Sequence, residues 1–124
     1  MKQLALISGS ILGILSIVFG AFGAHALKKV LSEDRLSSFE VGVRYQMYAA
    51  LTLLLIGYNF QFVDSYERWA VYGILYGCIL FSGSIYLLSF KDLWKVNLCF
   101  LGPITPLGGV FMIIGWLIIL VTFL

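Results

Sequence analysis

The stretch Leu4-Ala-Leu-Ile-Ser-Gly-Ser-Ile-Leu-Gly-Ile-Leu-Ser-Ile-Val-Phe-Gly-Ala-Phe-Gly-Ala24 runs for 21 residues without a charged side chain. Wound as a helix it measures about 31 Å, close to the hydrocarbon thickness of a bilayer. It therefore predicts a membrane span over residues 4–26. From Tyr45 to Val63 a second apolar run of 19 residues gives a span over 43–63. A third is expected over 67–90, with Trp69 and Tyr72 anchoring one end and Tyr86 nearer the other. The fourth covers 105–124, where Thr105 suits a helix cap and Pro106 the first helical position, which needs no backbone donor. The expected fold class is all-α, a four-helix transmembrane bundle forming one transmembrane domain over 1–124. The run from Val96 to Leu101 is too short to cross, so the connection from Lys91 to Ile104 should lie in the interface or against the bundle.

Composition agrees with that reading. Of 124 residues, 61% are hydrophobic and 11% charged, against about 45–50% and about 25% in soluble domains. The net charge is +2, but the eight Lys and Arg are dispersed, which argues against a nucleic-acid partner. Cys78 and Cys99 sit in apolar sequence and read as small buried hydrophobes. With no CxxC or Cys/His spacing, neither a metal nor a cofactor is expected. Lys28, Lys29, Arg35, Arg44, Lys91 and Lys95 fall on one side of the spans, Lys2 and Arg68 on the other. The positive-inside rule then places both long connections in the cytoplasm and both termini outside. A bacterial plasma membrane is favoured over a mitochondrial one, because the N-terminal segment is not the Arg-rich, Ser-rich kind that targets mitochondria. Lys2, the apolar run and Ala24-His25-Ala26 imitate a signal peptide. The run is longer than a signal peptide's core, however, and the positive charge follows it.

Gly9, Gly13, Ser16, Gly20 and Ala24 recur every three or four residues, a small-residue face that lets another backbone approach. Its partner is either a helix of the same bundle, a second copy of the chain or another membrane protein. Gly73, Gly77 and Ser84 form a similar row, so the two faces are expected to meet. Glu40 and Arg44, four apart, are placed to pair near Tyr48 as a structural clamp or a site for a proton or solute. His25 ends the first span at the same level, as a hydrogen-bonding anchor or a proton relay. Gln46, Asn59, Ser82, Ser84 and Thr105 are expected to bond across helices or to their own backbone. No nucleophile-base pair, phosphate-binding glycine loop or paired catalytic carboxylates stand out, so an enzyme is not the favoured reading.

Four segments occur in order: Gly20-Ala-Phe-Gly-Ala-His25, Arg44-Tyr-Gln-Met-Tyr48, Phe81-Ser-Gly-Ser-Ile-Tyr86 and Thr105-Pro-Leu-Gly-Gly109. Together they resemble the domain-of-unknown-function 423 family, small bacterial membrane proteins similar to eukaryotic transmembrane protein 256, over nearly the whole chain. The resemblance implies a multi-span membrane protein and no established activity. One departure is Ala49, where many members carry a histidine, which counts against a mechanism needing two histidines. Laid over the spans, the four segments converge on the cytoplasmic half. The candidate polar centre is therefore His25, Glu40, Arg44, Tyr45, Gln46, Ser82, Ser84 and Thr105. The favoured function is a noncatalytic structural or accessory protein of the lipid bilayer. One alternative is a small transporter or channel, with irregular backbone from Gly102 to Gly109 beside a cavity and His25, Glu40 and Arg44 handling a proton or anion. The other is an enzyme acting on a lipid or quinone with His25 as acid or base.

Overall fold

A computed structural model describes residues 1–95 and 97–124. Five α-helices make up the described fold: α1 (Lys2–His25), α2 (Glu33–Asn59), α3 (Ser65–Ser89), α4 (Lys91–Trp94) and α5 (Ile104–Thr122). Short 3-10 turns at Leu27–Lys29 and Cys99–Leu101 complete it, and no strand occurs among the described residues. Three segments are long and apolar enough to cross a membrane: Lys2–Lys29, Ser65–Ser89 and Cys99–Thr122. Three of the four expected spans meet this measure, and α2 does not. Arg44, Gln46 and Asn59 lower the apolarity of α2 below that of its neighbours.

Helix α2 begins at Glu33, ten residues before the expected span. Its start is set by polar chemistry: the Ser32 side chain accepts from the Arg35 N–H at 3.3 Å, and Glu33 and Asp34 face the positive end of the helix dipole. The helix also stops sooner than apolarity suggested. Phe60 is extended and Phe62 adopts a left-handed φ of 57°, so the chain has turned before Val63. Thr105 does not cap α5. The cap position is Pro103 and Pro106 is the third helical residue, still within the first turn, where a missing N–H costs nothing. The Gly102 to Gly109 stretch, expected to be irregular, is helical from Ile104 onward. Val96, part of the short run expected at the interface, lies outside the described residues.

The principal interfaces are α1 on α2, α2 on α3 and α3 on α5. Only 17% of the apolar window of α1 and of the Cys99–Thr122 segment is buried, against 39% in α3. The α2/α3 pair is therefore the interior, flanked by α1 and α5. Leu53, Val71, Ile74 and Cys78 are among its fully enclosed side chains, with Ala5, Ala49 and Ala70 packed among them. Outside, the surface inverts the soluble pattern, since Ile7, Ile14, Ile17, Leu55, Trp69 and Leu117 are all exposed. That much exposed apolar surface suits contact with lipid.

The small-residue rows find different partners from those expected. Gly9 faces α2, where a Cβ would stand 2.9 Å from the Ala50 carbonyl oxygen, and Gly13 and Gly20 lie against Ala50 and Val43. Gly73 and Gly77 face α5 instead of α1. A Cβ on Gly77 would lie 2.6 Å from Met112 Cγ and 2.8 Å from the Gly108 oxygen, and one on Gly108 would strike the Phe81 backbone nitrogen. The expected meeting of the α1 and α3 rows is corrected accordingly. A seven-residue link between α1 and α2 makes them neighbours in an antiparallel hairpin, leaving the α3 row to α5. Ala24 is exposed, and Gly23 takes its expected place by packing on the Phe39 ring.

Candidate functional site

A seam of hydrogen bonds crosses all four long helices. Between α1 and α2, Ser16 Oγ donates to the Val43 carbonyl at 2.9 Å and Gln46 Nε2 donates to the Leu12 carbonyl at 2.9 Å. Between α2 and α3, Ser82 Oγ donates to the Gly42 carbonyl at 2.7 Å and Tyr86 Oη donates to Gln46 Oε1 at 2.6 Å. Between α3 and α5, Ser84 Oγ lies 2.5 Å from Thr105 Oγ1 and also donates to the Phe81 carbonyl at 3.0 Å. A serine hydroxyl carries a single proton, so with Ser84 donating to Phe81 the Thr105 hydroxyl donates to Ser84. Ser16, Gln46, Ser82 and Ser84 are each buried.

The chemistry of this seam follows from what helices leave available. A carbonyl inside a helix accepts one N–H but has two lone pairs, so Leu12, Gly42 and Val43 each retain a site for a neighbour's donor. Gln46 fits between two helices because its amide has a donor end and an acceptor end. The Leu12 carbonyl can only accept and so fixes Nε2 toward α1, turning Oε1 toward the Tyr86 hydroxyl. Gly42 is small for a local reason. A Cβ there would come 2.8 Å from the Tyr86 ring and 3.2 Å from Ile85, pushing α3 out of reach of Ser82. The Tyr86 ring is itself held by Phe19 and Phe39, with centroids 5.2 and 5.0 Å away.

Of the expected polar centre, Gln46, Ser82, Ser84 and Thr105 join this seam, and Ser16, expected only to pack, joins it too. The others stand apart. Tyr45 is exposed, its ring against Tyr48 and Phe81 at 5.6 and 5.0 Å. Glu40 and Arg44 are exposed and border a shallow hollow of about 220 Å³ with Phe19, Gly23 and Phe39. The pair expected between them is not formed. The ion pair among the described residues is Arg35 Nε to Asp92 at 3.1 Å, joining α2 to α4. On an exposed helix face water competes for both partners of an i, i+4 pair, and long side chains gain little by closing it. His25 ends α1 exposed, where a basic side chain suits the negative end of the helix dipole. Asn59 bonds to the Leu55 carbonyl of its own helix at 2.8 Å. Cys78 is buried as expected, whereas Cys99 is exposed.

Tyr86 and Gly42 are the seam residues that the sequence did not single out. Tyr86 was expected as an aromatic anchor at the membrane surface, but it points inward. Its position four residues after Ser82, on the same helix face, was the available signal.

The family model described as Protein of unknown function (DUF423) matches residues 19–109. The chain belongs to the DUF423 family. A UPF0382 membrane protein of Staphylococcus aureus (strain bovine RF122 / ET3-1) is 40% identical over 119 residues, covering 96% of this chain and 93% of the relative. The UPF0382 membrane protein YwdK of Bacillus subtilis (strain 168) is 38% identical over 118 residues, covering 94% and 92%. No solved structure matches. These relatives are bacterial and carry the name of membrane proteins, and the chain has three segments able to cross a bilayer. This DUF423 protein is an integral membrane protein. The family match spans the α2, α3 and α5 members of the seam, from Gly42 to Thr105, while Leu12 and Ser16 precede it.

Proposed function

We propose that the chain is a noncatalytic structural or accessory protein of the bacterial cell membrane, a single domain crossing the bilayer four times with both termini outside. What supports a fourth crossing by α2 is its place between α1 and α3. It touches α1 from Ser16 at one end to Leu6 at the other, through Val43 and Gly57. A helix packed along a crossing neighbour shares its depth, and the polar Gln46 and Thr52 of α2 are buried from lipid. The orientation rests on the excess of Lys and Arg at the end that holds α4 and the start of α2.

The observation that carries the noncatalytic reading is the closure of the seam. Gln46, Ser16, Ser82, Ser84 and Thr105 each end on a partner inside the protein, so these five side chains tie helices together rather than line a water path. A transport route would need such groups turned to a cavity.

Single cysteines at Glu40 and Gln46, in a background lacking Cys78 and Cys99, test this with a membrane-impermeant thiol reagent applied from each side. The expected result is labelling at position 40 from the cytoplasmic side and protection at 46. Labelling at 46 would show water inside the bundle and favour transport; labelling at 40 from outside would reverse the topology.

A further inference from the structure

We propose that the inner end of the bundle holds an anionic phospholipid, with one acyl chain in a groove between α1 and α3 and the headgroup among Lys28, Lys29 and Lys91. This deepens the reading above and rests on its bilayer placement. The groove has a volume of about 300 Å³ and is lined by Val18, Phe19 and Phe22 of α1, Leu27 of the following turn, Phe39 of α2, and Tyr86 and Phe90 at the end of α3. It exists because α1 packs chiefly on α2, and at this end meets α3 through Phe19 on Tyr86. That size is at the small end of ligand sites, suited to one chain rather than a whole lipid. Every lining side chain presents carbon except for the Tyr86 hydroxyl, which is occupied by Gln46. Such a groove at membrane depth is filled by hydrocarbon rather than water.

The mouth selects the headgroup. Leu27 lines the groove, and the next two residues of its turn are Lys28 and Lys29. Phe90 lines it from the other side, and the next residue is Lys91, which opens α4. None of these lysines has a carboxylate within ion-pair distance among the described residues, whereas the nearby Asp92 is taken by Arg35. Two walls of an apolar groove thus each lead into unpaired positive charge, which complements a phosphate diester carrying net negative charge and not a zwitterion. Trp94 is positioned to report occupancy, stacking on Phe90 with centroids 5.4 Å apart.

The test uses the full chain with Trp69→Phe and Trp116→Phe, leaving Trp94 as the sole tryptophan, in phosphatidylcholine vesicles. Brominated phosphatidylglycerol or brominated phosphatidylcholine with the same acyl chains is titrated in over the same range of mole fractions. The expected result is half-maximal quenching of Trp94 at a several-fold lower fraction of the anionic lipid. Lys28→Gln with Lys29→Gln and Lys91→Gln should bring the two lipids level, while Lys2→Gln with Arg68→Gln should not. Val18→Phe, which fills the groove and keeps the lysines, should also abolish the preference, with far-UV circular dichroism confirming that each variant is folded. A preference that survives Val18→Phe would mean diffuse attraction to charge and would overturn the site. Equal quenching of the parent protein by both lipids would overturn it while leaving the bundle intact. Displacement by a neutral quinone at a lower fraction than the anionic lipid would overturn the headgroup assignment. Quenching by neither lipid would overturn the bilayer placement on which the site rests.

Discussion

The α3–α5 and α1–α2 interfaces hold pairs of helices together by different means. Between α3 and α5 the contact is backbone on backbone: Gly73 and Gly77 meet Gly108, Phe111 and Met112, with Ser84 and Thr105 as the hydrogen-bonded pair at one end. Between α1 and α2 the close approaches are at Gly9 and Gly57, Gly13 and Gly20 lie at ordinary contact distance, and Ser16 and Gln46 reach across to opposing carbonyls. In lipid, separated helices are already in an apolar medium, so association depends on packing and on hydrogen bonds rather than on escape from water. One interface draws mainly on the first resource and the other adds the second.

Breaking the closer-packed interface should have the largest effect. Gly108→Leu places a side chain against the Phe81 backbone, and the expected loss is about 3 kcal/mol, at the upper end of overpacking costs. Reversible unfolding in mixed micelles, followed by helicity, measures it; an unchanged midpoint would show that the glycines are not what holds α5. The polar interface should yield less. Gln46→Leu removes bonds to both α1 and α3 and is expected to cost about 1–2 kcal/mol. A double-mutant cycle with Tyr86→Phe, which keeps the ring on Phe19 and Phe39, sharpens this, with an expected coupling of about 0.6 kcal/mol. Ser16→Ala and Ser82→Ala should each cost about 0.6 kcal/mol, by the same unfolding measurement. The smallest effect is expected for Glu40→Gln and Arg44→Gln, each within about 0.5 kcal/mol and additive in the double variant, because the two side chains are exposed and unpaired with each other. Clear non-additivity there would mean that the pair closes in the membrane after all.

The same contrast shows what could be seen in the amino-acid sequence. Apolar length alone placed α1, α3 and α5, because length and hydropathy are properties of one helix. Both glycine rows are visible as faces, and the α1 row packs within the bundle as one reading had it, yet the two rows do not meet each other. A spacing of three or four residues marks a face without saying what lies opposite; the short turn after α1 decided that. The start of α2 was missed because it lies in polar sequence, although Ser32 followed by Glu33 and Asp34 is a helix-start pattern. Of the polar centre, Gln46, Ser82, Ser84 and Thr105 were found, since a buried polar side chain in a span must have a partner. Their acceptors were hidden because most are backbone carbonyls, which have no sequence signature. Glu40, Arg44 and His25 were grouped with them by depth, and depth does not tell inward from outward.

The two-ended use of Gln46 also has a consequence for the order in which the chain is made. Leu12 and Gln46 both lie in the first hairpin, so their bond needs only residues that emerge early in synthesis. Tyr86 is forty residues further on. Until α3 has entered the bilayer, the Gln46 side-chain oxygen Oε1 lacks this partner, and the Gly42 backbone carbonyl likewise awaits Ser82. The first hairpin thus presents two neighbouring acceptors, one turn apart, to the next helix inserted. A tyrosine and a serine spaced four apart match that pair in a single register, so the second hairpin arrives with its alignment already specified.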